Sequence, residues 1–210
     1  MSLINVSNLS FAYEGSYDNI FENVSFQIDT DWKLGFIGRN GRGKTTFLPV
    51  NQGYRIALCG KNGSGKSSVI KLICGEEISY TGSFEKGSRL LISYVSQDTS
   101  YLSGNLSDYA LQNEIDESLF KAILRKLDFS RSQFEKDMEN FSEGQKKKVL
   151  IAKSLCEKAH LHIWDEPLNF IDVISRMQIE NLLLEFKPTI IFVEHDSMFC
   201  NNIATEKIYL

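Results

Sequence analysis

"GRNGRGKTTFLPVNQGYRIALCGKNGSGKSS", residues 38–68, carries one pattern twice. Residues 38–45 read G-R-N-G-R-G-K-T and residues 60–67 read G-K-N-G-S-G-K-S, both of the form G-x-x-x-x-G-K-[ST]. Lys44 and Lys66 lie 22 positions apart, too close for two separate domains of ordinary size. Residues 30–46 align with 52–68, position for position, as a short internal repeat. A glycine-rich turn between a strand and a helix directs backbone N–H groups at phosphate oxygens. The lysine reaches the terminal phosphates and the Ser/Thr hydroxyl binds Mg²⁺. Either copy alone also reads as a glycine-rich turn with a surface lysine, so the surrounding chain must decide which one works.

The chain has 210 residues, 42% hydrophobic and 24% charged, with a net charge of −4. That suits one soluble domain with a real core and gives no global basic field to draw it to nucleic acid or anionic membrane. Cys59, Cys74, Cys156 and Cys200 are widely spaced and are expected to be reduced thiols. No leader and no run of 18 apolar residues is expected to anchor the chain, which predicts a cytoplasmic protein.

Outward from the double loop, residues 3–28 predict antiparallel β structure, with Val6, Leu9 and Phe11, then Val24, Phe26 and Ile28, in partial alternation. Strands over 34–37 and 55–59 lead into the two loops. "SSVIKLICG" predicts a short helix closed by Gly75. Residues 82–85 and 90–95 read as strands, and 105–140 as helical, with Leu119, Phe120, Ile123, Leu124 and Leu127 in one apolar stripe. A helix begins near Ser142; "LHIW" at 161–164 is a buried strand; a helix over 173–186 precedes a strand over 190–193. Strands alternating with helices predict a mainly parallel sheet in an α/β fold.

Several polar residues fall at strand ends. Asp165 suits a magnesium-orienting carboxylate, and Glu166, pointing the other way, suits a base that polarises an attacking water. A solvated turn is the plain alternative for that pair. Gln97 suits the metal or the water, and His195 the terminal phosphate. His160 and His162 share a strand face, where a core or interface role competes with a metal pair. Lys146, Lys147 and Lys148 read as a solvated helix face, or as contacts to RNA phosphates.

With these residues in order, the chain resembles the ATP-binding cassette (ABC) ATPases along most of its length. "FSEGQ" at 141–145 resembles the family signature L-S-G-G-Q and departs from it at Phe141 and Glu143. The resemblance implies ATP and Mg²⁺ as ligands, the metal being held by Ser67, Gln97 and Asp165. It implies Glu166, His195 and Gln97 as catalytic residues. For the nucleotide it implies Gly60, Asn62, Gly63, Gly65, Lys66, Ser67 and Ser68, with Tyr13 stacking on adenine. Ser142, Gly144, Gln145 and Asp172 would cap the nucleotide of the opposite subunit in a head-to-tail homodimer. Glu143 would set a carboxylate near that triphosphate and weaken the contact.

"WDEPLNFID" and "EGQKKK" are similar to the second cassette of ABC-F proteins of the Lsa/Vga type. That group protects ribosomes against lincosamides, streptogramin A and pleuromutilins by means of a long linker between two cassettes. No such linker separates the two loops here. The expected account is an internal deletion near Pro49 that joins the start of a first cassette to the body of a second. The chain then divides into an antiparallel β unit (1–30), a duplicated loop segment (31–52), an ATPase core (53–97 and 142–210) and a helical subdomain (98–141). Lys66 is expected to hold the nucleotide and the first segment to lie displaced at the surface, because Gln97, Ser142, Asp165 and His195 all come after the second loop. One spacing opposes this: Tyr13 lies 31 positions before Lys44 and 53 before Lys66. Two other functions share these motifs, the nucleotide-binding subunit of a membrane transporter and a non-catalytic nucleotide-binding fragment.

Overall fold

A computed structural model describes residues 3–12, 20–29, 45–49, 53–87 and 89–210. Tyr13, the strand expected at 34–37 and the first loop through Lys44 lie outside the described residues.

Strands β1 (Leu3–Phe11) and β2 (Phe21–Asp29) pair antiparallel, from Leu3 opposite Asp29 to Phe11 opposite Phe21. On the other side of β1 lies the antiparallel β5 (Thr81–Lys86), and β3 (Thr45–Pro49) pairs parallel with β2, giving the order β3-β2-β1-β5. The stretch after Lys44 is therefore an edge strand, where a proline is tolerated. A phosphate loop needs a helix directly after its lysine, whereas the described residues 45–49 form the strand β3.

The second sheet is wholly parallel, in the order β6-β7-β8-β4-β9. Its members are β4 (Arg55–Cys59), β6 (Ile92–Val95), β7 (Leu161–Asp165), β8 (Ile190–Val193) and β9 (Glu206–Tyr209). Every residue of β7 and β8 is buried, because helices and the first sheet cover both faces. Successive side chains alternate between two cores. Ala57, Trp164, Ile190 and Phe192 face one; Ile56, Leu58, Leu161, Ile163, Ile191 and Val193 face the other. The second core also takes Ile4, Val6 and Leu9 from β1 and Val69, Ile70 and Ile73 from α1 (Lys66–Cys74).

The first core is closed by α2 (Leu106–Gln112), α3 (Glu117–Lys126), α4 (Glu143–Cys156) and α5 (Val173–Phe186). Asn105 and Asp116 cap α2 and α3 by accepting from Asp108 N and Leu119 N. Phe120, Ile123, Leu124 and Leu127 are buried as their spacing predicts, whereas Leu119, at the margin of the stripe, is exposed. Two elements after His195 were not expected: α6 (Ser197–Ile203), capped by Asp196, and β9. No helix among the described residues is long and apolar enough to cross a membrane.

Candidate nucleotide site

The second loop joins β4 to α1 at the edge of the second core. Gly65 has φ +83, and a Cβ there would meet the Phe21 ring at 2.5 Å. Only glycine combines that backbone with so close a neighbour. The antiparallel unit thus packs against the second loop. Lys66 is buried and folds back over the loop, donating to Gly60 O at 3.1 Å and Lys61 O at 2.9 Å. Asn62 and Gly63 form the exposed crest. A Cβ on Gly63 would have nothing within 4 Å, and Ser64 Oγ is buried without a hydrogen-bond partner. No side chain caps α1 at Gly65, and the uncapped N–H groups of a helix's first turn suit an anion.

Across from the loop, Asp165 ends β7 and is 5% exposed. Burial, then the Glu166 charge, push its carboxyl up, while Lys147, the Ser67 hydroxyl and Lys66 oppose them. Ser67 and Asp165 together offer hard oxygen donors of the kind Mg²⁺ takes, beside a loop shaped for phosphate. Among the described residues no group of three or more His, Cys, Asp or Glu side chains could hold a metal by itself.

Glu166 follows with a left-handed backbone, φ +49. Its Oε2 accepts from Gln97 Nε2 at 2.8 Å and from Asn169 Nδ2 at 2.6 Å; Oε1 lies 3.2 Å from His195 Nε2. The three residues expected to be catalytic therefore meet at one carboxylate. Because Gln97 spends its amide nitrogen on Glu166, its oxygen is left for a cation or a water. Two partners were missed in the sequence. Asn169 is the asparagine of "DEPLN", quoted there only for its resemblance. Glu194 accepts from Leu168 N at 2.8 Å and His195 N at 2.9 Å, which sets the 166–169 turn against the histidine.

The signature residues stand apart from the loop. Ser142 and Gln145 cap α4 reciprocally, Gln145 N donating to Ser142 Oγ at 3.3 Å and Ser142 N to Gln145 Oε1 at 2.9 Å. A Cβ on Gly144 would come within 2.4 Å of Phe170 O. Asp172 caps α5, accepting from Ser175 N at 2.9 Å and Ser175 Oγ at 2.6 Å, bonds that hold its carboxyl down at about 2. Among the described residues no hydrogen bond or ion pair joins Ser142, Gly144, Gln145 or Asp172 to residues 60–68.

The lysine run corrects the expectation of a solvated face. Lys146 and Lys147 are buried, Lys148 is half-buried, and burial pushes the Lys147 ammonium down. His162 is buried and its Nδ1 lies 3.0 Å from Ser154 Oγ, while His160, exposed, accepts from Leu91 N. All four cysteines are free thiols.

A model of the ABC transporter family matches residues 48–169, more than half of the sequence. The chain belongs to the ABC ATPase family. This cassette is 32% identical over 212 residues to the ATP-binding protein Uup of Buchnera aphidicola, across 97% of the chain and 32% of that protein. It is 27% identical over 201 residues to the ribosome protection protein VmlR of Bacillus subtilis, across 91% of the chain and 31% of that protein. A solved ATP-binding protein assigned to cobalt transport superposes with a TM-score of 0.68 at 21% identity, covering 95% of the cassette and 72% of that chain. At that identity the likeness carries the fold alone. The chain spans about a third of the length of the curated relatives it matches. The family match takes in the second loop and begins after the first.

Proposed function

We propose that this ATP-binding ABC cassette is of the ABC-F type and hydrolyses ATP held on the second loop. The observation that carries the reading is the Glu166 carboxylate, held by Gln97, Asn169 and His195 and set beside Asp165 and the Lys66 loop. Gly60, Asn62, Gly63 and Gly65 would present backbone to the phosphates, with Ser67 and Ser68 opening α1 beneath them. Lys66 would exchange two neutral carbonyls for charged phosphate oxygens, a stronger bond for the same donor. Tyr13 would stack on the base. Asp165, Ser67 and the free oxygen of Gln97 would hold Mg²⁺, which neutralises charge building on the phosphates. Glu166, fixed by its donors, would take a proton from the water that attacks the terminal phosphorus as the bridging P–O bond breaks. His195 would turn its Nε2 from Glu166 to the terminal phosphate.

The signature residues bond within their own helix ends and not to residues 60–68, which supports a head-to-tail pair in which Ser142, Gly144, Gln145 and Asp172 of one copy complete the site of the other. Beside Asp172, the exposed Val173, Ile174 and Met177 share one face of α5, and the exposed Phe170 lies in the turn just before it. The likeness to the ribosome protection protein VmlR favours a ribosome-directed ancestry. The internal joining of two cassettes accounts for the first loop. Phosphate release tests the hydrolytic reading: the chain should turn over Mg-ATP, and Glu166→Gln should lower kcat by about 10² to 10⁴ while ATP still binds. Equal turnover by both would remove Glu166 from the reaction.

A further inference from the structure

Lys147 lies in the second turn of α4 and is 1% exposed. An ammonium that deep costs several kcal/mol, on the order of a whole domain's margin, unless partners replace its water. Its partners are backbone carbonyls on two other segments. Nζ donates to Ser96 O at 2.6 Å, with Gln97 O at 3.4 Å and Asp165 O at 3.5 Å. The first two belong to the loop whose Gln97 side chain reaches Glu166. The third belongs to the residue just before Glu166. A second tie joins α4 to the same loop: the Thr99 hydroxyl, 2% exposed, donates to Glu143 Oε2, and Lys146 Nζ lies 3.8 Å from the other carboxylate oxygen. Glu143 is the residue that departs from the signature pattern, and here its carboxylate is turned to Thr99.

We propose that Lys147 is a positioning residue for hydrolysis and that, with Glu143, it latches the first turns of α4 to the Gln97 loop. The proposal rests on the hydrolytic reading above and deepens it. Packing alone does not require a charge at 147, since Val149, Leu150 and Ile151 already fill the adjoining core. A charged donor shared among three carbonyls fixes their directions more firmly than neutral bonds would. Those directions set where the Gln97 amide and the Glu166 carboxylate meet. The latch also makes the signature end of α4 and the Gln97 loop shift together, so a change at one is felt at the other.

Lys147→Met removes the ammonium at similar volume and leaves its carbonyl partners without that donor, so the unfolding midpoint is followed alongside. In Lys147→Met, measured where the chain is folded, kcat is expected to fall about 10-fold or more, with KM for ATP changed less than about two-fold. Amide hydrogen exchange across residues 96–99 should quicken by about 10-fold or more. Thr99→Val, which cuts the second tie, should quicken exchange in the same segment, and Thr99→Ser should restore it; these variants decide the latch if Lys147→Met does not fold. Exchange at 96–99 within about two-fold of the parent chain overturns the latch, and faster exchange with unchanged kcat overturns the positioning role. Turnover by the parent chain is measured alongside. Its absence would refute the hydrolytic reading, while exchange would still decide the latch.

Discussion

Phe21, at the start of β2, lies against Gly65 of the second glycine-rich loop so closely that a single added methyl would stand 2.5 Å from its ring. This contact ties the antiparallel unit to the loop that leads into a helix. It also offsets the one spacing that favoured the first loop, because β1 and β2 reach the second loop despite the longer stretch between.

Gly65→Ala should therefore cost stability twice, through its left-handed backbone, worth about 1–2 kcal/mol, and through the ring. Adding Phe21→Ala relieves the ring and leaves the backbone penalty. Urea unfolding of the two variants separates these parts, and ATP titration of Gly65→Ala should show binding lost. Unchanged stability and binding in Gly65→Ala would mean that the ring and the left-handed backbone do not hold the loop.

The dimer has its own signature. Glu166→Gln, expected on the hydrolytic reading to slow turnover without removing the nucleotide, should accumulate as a pair in millimolar ATP and Mg²⁺ by light scattering. Adding Ile174→Asp sets a charge in the exposed stripe of α5, where Ile174 is 65% exposed and its loss spares the core. That second change should return the chain to a monomer. A Glu166→Gln chain that never pairs would defeat the head-to-tail arrangement.

His162 makes the fold sensitive to acid. Burial holds its imidazole down to about 4, from an ordinary 6.5. Below pH 6.5 the unfolded chain takes up a proton that the folded chain refuses until about 4, so stability falls as pH falls through that window and is unaffected above it. The loss is on the order of 3 kcal/mol once pH is below both values. Denaturant unfolding between pH 7.5 and 4.5, settings chosen at about one unit above and two below the free imidazole, should show a shallower decline in His162→Gln than in the parent. Equal declines would place the imidazole in a wetter setting than the sheet provides.

Expression in a lincosamide-sensitive bacterium should leave susceptibility unchanged. On the proposed joining of two cassettes, the linker on which the Lsa/Vga group relies would be lost, and no comparable insertion separates the two loops in the sequence. A clear rise in the inhibitory concentration would overturn the joined-cassette account.

Where the chain is apolar and regular, the sequence was easily read. "LHIW" and "IIFV" read as strands and are strands with every residue buried, and α5 begins after Asp172 and ends at Phe186 as its pattern predicts. Glu166, Gln97 and His195 were legible as strand-end residues, and the structure brings them to one carboxylate. Lys147 was not legible. A run of three lysines ordinarily faces water, and only the carbonyls of Ser96, Gln97 and Asp165, which are distant in sequence, make a buried one tolerable. Asn169 and Glu194 were hidden for a similar reason, since their partners are set by how two loops meet. β9 buries only Ile208, too little periodicity to announce a strand.

The central claim is that the second loop, not the first, holds the nucleotide, and equilibrium binding of Mg-ATP to two lysine variants tests it most directly. The account predicts that Lys66→Ala abolishes binding and that Lys44→Ala leaves the dissociation constant nearly unchanged. Loss of binding in Lys44→Ala with Lys66→Ala intact would contradict it, and would put the first loop, with the antiparallel unit, at the working site.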